Sequence, residues 1–455
     1  MMVQAVYVLS AILFILSLKW MSEVKTSRRG NWAGTLGMVG AVVATLFAIE
    51  LHRYDLLIIA MIIGAAIGIP MALKMPMTAV PQRTAISHAF GSLAAALVGT
   101  AEFYQHTPHI EPITMAIIAA EIILGYLTFT GSVIAFLKLQ ELISGKPFLY
   151  PGRRVTSLGV LSFAAIMGII LTVNPGVTVC FPLLIIASLI FGFLLVMGIG
   201  GADMPTVIAI LNSFAGLSAS GLGFVLNNKL LIIAGALDGS SGLILAILMC
   251  KAMNRSFANV LFGGFGATVA QITGSHAERP MNAIEPIEAA QLLADAQKVV
   301  IAPGYGMAAA QAQHAVKELA DELSKRNIDI KYAIHPVAGR MPGHMNVLLA
   351  EADVPYTQLL DMEEINPEFD QTDVVIVIGA NDVVNPAARS DKGSPIYGMP
   401  ILNVDRARNI IVIKRGRGTG FSGIENELFF NPKTMMLFGS AKDAVQKLTT
   451  AVKEI

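Results

Sequence analysis

Apolar residues in the first 255 positions gather into long runs. A helix that crosses a bilayer needs about 20 mostly apolar residues. Nine candidate spans follow, at residues 3–18, 32–51, 56–72, 84–101, 112–137, 155–173, 177–198, 205–226 and 230–250. The fourth and eighth are the most polar. The first lacks a positively charged flank, and no cleavage site follows Trp20, so it reads as a retained helix and not a signal peptide.

Residues 256–283 are rich in Gly, Ala and Asn and read as a linker. Beyond them the period changes. Residues 298–302 form a short apolar strand, 308–325 an amphipathic helix and 329–334 a second strand. Residues 373–378 are apolar throughout, as a strand covered on both faces would be. Residues 400–404 and 409–414 read as two more strands, and 441–451 as a closing helix. The predicted fold is an all-α polytopic membrane bundle of about nine helices, followed by an α/β Rossmann-like doubly wound domain. Its parts are a membrane domain at 1–255, the linker at 256–283 and a nucleotide domain at 284–455.

Composition sharpens the split. Only 14% of the 455 residues are charged and 54% are hydrophobic, against roughly a quarter charged in soluble domains. Mean hydropathy is +0.64. Net charge is zero, which gives no basic face for nucleic acid. The two cysteines, Cys180 and Cys250, lie in apolar runs and read as small buried hydrophobes, with no disulfide or zinc spacing.

Lys and Arg accumulate on the cytoplasmic side of a membrane protein. With the N-terminus outside, the inner loops hold Lys19, Lys25, Arg28, Arg29, Lys74, Arg83, Lys138, Lys146, Arg153, Arg154, Lys251 and Arg255. The outer loops hold only Arg53 and Lys229. An odd number of spans then leaves the C-terminal domain in the cytosol.

The first strand runs into Gly304-Tyr305-Gly306-Met307-Ala308-Ala309, a GxGxxA turn. Such glycines permit a tight strand–helix turn and close approach of phosphate. A tight turn with no ligand is the other reading. An NAD site commonly has an acid after the second strand, but here that strand ends Ile334-His335-Pro336. The strand at 409–414 ends instead in Lys414-Arg415-Gly416-Arg417, which suits a phosphate dianion and favours NADP over NAD; a solvated turn is the alternative. Gly379-Ala380-Asn381-Asp382 follows a buried strand, and residues 335–344 are dense in Gly, Pro and His.

Ionisable and amide residues inside a membrane are costly and usually functional. His88 lies one turn inside the fourth span and Asn212 about two turns into the eighth, at matched depth. They suit a proton relay, or a polar pair that ties helices together. Asp203 stands in the loop before the eighth span. Glu121 and Asp238 lie deeper, as buried neutral acids or second relay groups. Glu102, His106, His109 and Glu111 read as ordinary loop residues, and no metal site is expected. Gly235, Gly239 and Gly242 recur along one face of the ninth span, permitting close packing or a deformable helix.

Taken together the chain resembles, over nearly its whole length, the beta subunits of the proton-translocating NAD(P) transhydrogenases. The carrying stretches are residues 200–205, 239–242, 249–256, 303–313, 335–352, 379–388 and 414–420. The resemblance implies reversible hydride transfer between NAD(H), held by an alpha subunit, and NADP(H), held by this chain. That transfer would be coupled to proton passage across the bacterial inner membrane. It implies a dimer of alpha–beta units in membrane lipid, and a nucleotide bound in reversed orientation.

Carried over by motif, the cofactor contacts are Tyr305, Val337, Ala338, Gly339, Arg340, Met341, Pro342, Gly379, Ala380, Asn381, Asp382, Val383, Gly398, Met399, Lys414, Arg415, Gly416, Arg417, Gly418, Thr419, Gly420, Phe421, Ser440 and Ala441. Lys414 and Arg415 would take the 2′-phosphate, and Asp382 would stand by the nicotinamide and respond to proton state. His88, Asp203 and Asn212 match the proton-passage residues. Ser440 stands where the family pattern has an acid, and Asp238 where it has an apolar residue. The alternative function is an NADP(H)-sensing membrane transporter or channel. It would expect a selectivity-filter loop or broken-helix repeat, and neither is legible.

Overall fold

The computed structural model describes residues 2–23, 25–48, 53–145, 147–148, 150–200, 203–254, 256–262, 280–392, 394, 396–416, 418–420 and 422–455. Among them, nine helices are long and apolar enough to cross a membrane. They are α1 Met2–Met21, α2 Ser27–Ala48, α3 Tyr54–Lys74, α4 Val80–His106, α5 Pro112–Leu139, α6 Arg153–Val173, α7 Cys180–Met197, α8 Met204–Val225 and α9 Lys229–Ala252. The helical stretch ending in α4 reaches 30 residues when the 3-10 turn Met77–Ala79 is included. The Leu51 end of the second predicted span, the loop cations Lys146 and Arg255, and residues 263–279 of the predicted linker lie outside the described residues.

The chain divides into two compact units. The first comprises Met1–Met75, Gln82–Gly198 and Val207–Ala246; the second comprises Pro76–Pro81, Ile199–Thr206 and Ile247–Ile455.

Within the first unit, α5, α6 and α7 pack on one another around Met115, Ile118, Ile122, Leu171, Phe181 and Leu184. The rings of Phe103 on α4 and Phe181 on α7 stack at 3.8 Å. The C-terminal carbonyls of a helix lack internal partners and attract cations. At the end of α7, buried Lys138 donates to Val196 O and Met197 O, both at 3.0 Å. Buried Arg153 donates to Gly198 O at 3.0 Å. Two cations that hydropathy assigns to loops therefore finish a helix.

The second unit holds a parallel six-stranded sheet in the order β3-β2-β1-β4-β5-β6. After the short α10 Phe257–Phe262 and α11 Pro286–Ala294, the chain runs β1 Lys298–Pro303, α12 Tyr305–Ala309, α13 Gln313–Lys325, β2 Asp329–Ile334, α14 His344–Glu351, β3 Leu359–Asp361, α15 Met362–Ile365, β4 Val374–Ile378, α16 Ala387–Ser390, β5 Asn409–Lys414, β6 Thr434–Phe438 and α17 Ala441–Glu454. This order reverses between β1 and β4, and doubly wound sheets open their ligand crevice at such a reversal. β1 and β4 are buried along almost all their length, as continuous apolar runs require.

Several elements differ from the sequence expectation. The predicted helix over 308–325 is two helices, broken where Gln311 takes φ +49°. The amphipathic part is α13, whose Ala315, Val316, Leu319, Ala320 and Leu323 face the core. Residues 400–403 form no strand, and Val404 opens the 3-10 turn Val404–Arg406. Their backbone is satisfied by loops: Leu402 N donates to Val383 O at 2.9 Å, and Ile401 O accepts from Asn366 Nδ2 at 3.1 Å. The strand beside β5 is instead β6. Just after the predicted linker's undescribed stretch, Ala283 bridges to Met436 of β6.

Candidate functional site

The βα loops of the second unit carry most of the residues singled out in the sequence, and these loops lie at the carboxyl ends of the strands. Two loops meet at the reversal point. Gly304 N donates to Ile378 O and Gly306 N to Gly379 O, both at 2.9 Å. A Cβ on Gly304 would stand 2.5 Å from Ala380 Cα, and one on Gly306 2.6 Å from Gly379 Cα. Gly379 has φ +64°, a conformation side chains resist. The glycines of the GxGxxA turn thus serve backbone-on-backbone packing of two loops. Their N–H groups are spent on protein carbonyls and are not free for a phosphate.

Arg340 and Tyr305 also come together, with the guanidinium 4.1 Å from the ring centroid. The loop bearing Arg340 is held by two buried histidines. His335 Nδ1 accepts from Val337 N at 3.2 Å, which leaves Nε2–H to donate to Pro400 O at 2.8 Å. His344 Nδ1 accepts from Arg340 N at 3.0 Å. A Cβ on Gly339, at φ +110°, would run into the His344 ring at 2.6 Å. Val337, Ala338, Met341 and Pro342 belong to this same turn.

Asp382 ties the loop after β4 to the loop after β5. Its carboxylate accepts from Ser422 N at 2.9 Å and Ser422 Oγ at 2.7 Å. Asn426 Nδ2 donates to Asn381 O at 2.9 Å and Asn381 Oδ1 at 3.0 Å. Neither Ser422 nor Asn426 stood out in the sequence, because the link spans some forty residues and leaves no local pattern.

Lys414 ends β5, its ammonium bonded to Gly418 O and 4.5 Å from the Phe429 ring centroid. Burial pulls the Lys414 amine below its ordinary value, and the Asp382 charge opposes this. Arg415, Gly418 and Thr419 are exposed. A Cβ on Gly416 or Gly418 would meet nothing within 4 Å, so the loop borders open space.

Ser440 caps α17 without a side-chain bond, and Gly439 N reaches Lys414 O at 3.0 Å, which brings Ser440 and Ala441 to the same strand end. Gly398, at φ +78°, donates from its N–H to Ala388 O at 2.8 Å, and Met399 joins a small separate apolar cluster with Ala388, Ile396 and Ile401. Arg417 and Phe421 lie outside the described residues.

The first unit carries the membrane group. Asn212 on α8 donates from Nδ2 to Asp238 Oδ1 on α9 at 3.2 Å. His88 on α4 and Asp238 act on each other electrostatically. Deep between α5 and α8, Ser218 Oγ donates to Glu121 Oε1 at 3.3 Å, and Glu121 is 1% exposed. Asp203 belongs to the second unit, at the turn before α8, where its N–H bonds Gly200 O at 3.1 Å; its neighbours Gly201 and Ala202 lie outside the described residues. His106 of the α4 terminus pairs with Glu102.

Sequence comparison fixes what this pairing of units belongs to. The family profile described as "NAD(P) transhydrogenase beta subunit" matches residues 3–451. The Rhodospirillum rubrum protein named "NAD(P) transhydrogenase subunit beta" is 47% identical over 457 residues, covering 98% of each chain. A second sequence of that name, from a designated strain of the same species, gives the same figures. The chain belongs to the NAD(P) transhydrogenase beta subunit family.

In this transhydrogenase chain the loop histidines set a pH limit. Burial holds His335 at about 4; burial, helped by the Arg340 charge, holds His344 at about 4. A histidine whose folded pKa lies below its unfolded value stabilises fully above the unfolded value, near 6.5. That stabilisation is lost as pH falls from there toward 4. By pH 5 the loss is about 2 kcal/mol per histidine. Hydrogen–deuterium exchange over residues 335–344, corrected for intrinsic rates, should therefore quicken markedly between pH 7 and pH 5. Unchanged protection would contradict the buried neutral assignment.

Proposed function

We propose that this chain binds NADP(H) at the carboxyl ends of β1, β2, β4, β5 and β6 and passes protons through its helix bundle. An alpha subunit would supply NAD(H), and reversible hydride transfer between the two nucleotides would be coupled to proton translocation. When bound, NADP(H) supplies the hydride-carrying ring. This chain's own residues position it and sense protons.

The site fits such a group. Lys414 and Arg415 give the 2′-phosphate two cationic donors beside open glycine positions. Tyr305 and Arg340, the guanidinium over the ring, bring a cation and an aromatic face to the same loops. Residues 337–342, 379–383, Gly398, Met399, 414–421, Ser440 and Ala441 complete the contacts. Asp382 is the observation that carries the proposal. Its carboxylate accepts two hydrogen bonds from Ser422 and lies near Lys414, so it ties together loops after β4 and β5 that would meet the nucleotide.

In the membrane, His88, Asn212 and Asp203 would handle the proton. Family membership and loop charge support the bacterial inner membrane, with the N-terminus outside and the nucleotide domain, 284–455, in the cytoplasm. The working assembly would be a dimer of alpha–beta units. Purified chain mixed with alpha subunit should reduce an NAD analogue with NADPH. NADPH binding with no turnover under those conditions would favour an NADP(H)-sensing transporter or channel instead.

A further inference from the structure

The polar cluster of the first unit is built around Asp238, a residue to which the proposed path of His88, Asn212 and Asp203 gives no part. Asp238 stands on α9 between Gly235 and Gly239 in a seam where α8 and α9 touch backbone to backbone. A Cβ on Gly235 would lie 2.5 Å from Ser220 N, and one on Gly239 would lie 3.2 Å from Ser213 O. The next glycine, Gly242, leaves room for the Asn212 amide, since a Cβ there would stand 2.9 Å from Asn212 Nδ2. The seam thereby fixes Asn212 against Asp238, donating to Oδ1 at 3.2 Å and to the main-chain O at 3.4 Å.

The third member comes from α4. His88 is the titratable group that acts on Asp238, and Asp238 the one that acts on His88, among the described residues. The His88 Nδ1 is shut off from solvent and has no hydrogen-bond partner, so it has unused capacity for a proton. The Asp238 side chain reaches the surface of the unit. A carboxylate at that surface in a membrane span is costly against hydrocarbon. Water or protein must therefore cover it.

Resting on the proton-translocation reading above, we infer that Asp238 is a proton-holding residue of the path, exchanging a proton with His88 and held for that exchange by Asn212. In the exchange an imidazolium N–H breaks and a carboxyl O–H forms. Imidazolium plus carboxylate become imidazole plus carboxylic acid, with no net change of charge. The carboxyl then releases its proton to water at the exposed face. Protonating Asp238 also removes the charge that strengthens the Asn212 bond, so the α8–α9 seam senses which partner holds the proton.

The test uses the chain assembled with its alpha subunit in sealed vesicles. Asp238→Asn and Asp238→Glu are compared with wild type for protons moved per hydride, for the pH profile of hydride transfer and for NADPH affinity. Asp238→Asn should uncouple the enzyme, with protons moved per hydride falling toward zero while hydride transfer persists. It should also displace the pH profile, and Asp238→Glu should restore both, with NADPH affinity held. Wild-type ratio and profile in Asp238→Asn, in vesicles where wild type pumps, would overturn the inference alone. A wild type that transfers hydride without moving protons would overturn the translocation reading and this one with it.

Should the variants fail to assemble, carbodiimide modification of the wild type decides. The reagent adds to protonated carboxyls, so the peptide spanning residues 229–252 should gain its mass at Asp238, less as pH rises. No modification at Asp238 at any pH would overturn the proposal.

Discussion

His88→Ala is expected to abolish proton movement by the assembled enzyme while leaving NADPH binding within about threefold of wild type, below one kcal/mol. The imidazole is the group in this cluster whose ordinary pKa lies near neutrality. It belongs to the first unit, whereas the residues proposed to contact the nucleotide lie in the second. Alanine removes the titrating ring and leaves the α8–α9 glycine seam untouched. Proton uptake by a pH-sensitive dye in vesicles, set beside NADPH titration of the same sample, gives both numbers. Unchanged pumping would remove His88 from the path.

The second large effect concerns nucleotide choice. Lys414→Ala combined with Arg415→Ala should weaken NADPH by on the order of a thousandfold, at about 1.5–3 kcal/mol for each charged hydrogen bond lost. NADH, which lacks the 2′-phosphate, should be affected little. Binding of the two nucleotides, compared by titration of the same double variant, reads the difference directly. Equal losses for NADPH and NADH would show that these residues hold the loop and not the phosphate. Lys414 invites that second outcome, because its ammonium already bonds Gly418 O and faces the Phe429 ring. Arg415 is exposed and its removal disturbs less. The single variants therefore separate the two roles, with Arg415→Ala expected to cost NADPH affinity without changing the loop.

The membrane half was legible because lipid imposes one rule on every span. All nine apolar runs became helices among the described residues, since hydrogen bonds must close within each segment. The strands of the sheet core were legible for a similar reason: β1 and β4 are buried on both faces and read as unbroken apolar runs. The edges were not. β3 has three residues, too few for any period, and 400–404 looks like a strand but finds its partners in Val383 and Asn366. Apolarity at that segment reports burial, and the hydrogen-bond partners alone report the ladder.

At the candidate site, local motifs marked loops that gather at the carboxyl ends of the strands, but not how those loops pack on one another. The GxGxxA turn suggested a phosphate cradle. Its glycines make room for Gly379 and Ala380, a packing role that depends on a strand more than seventy residues on. The Asp382–Ser422 and Asn381–Asn426 links and the convergence of His88 and Asn212 on Asp238 are long-range in the same way. Spacing along the chain could supply the candidates, but only the fold pairs them.

Reconstitution of this chain with its alpha subunit in sealed vesicles, with hydride transfer and proton movement recorded together, tests the central claim most directly. Coupled operation predicts that NADPH oxidation by an NAD analogue moves protons in fixed proportion. It also predicts that an imposed proton gradient alters the rate of hydride transfer. Hydride transfer at full rate with no proton movement, and with no response to the gradient, would contradict it.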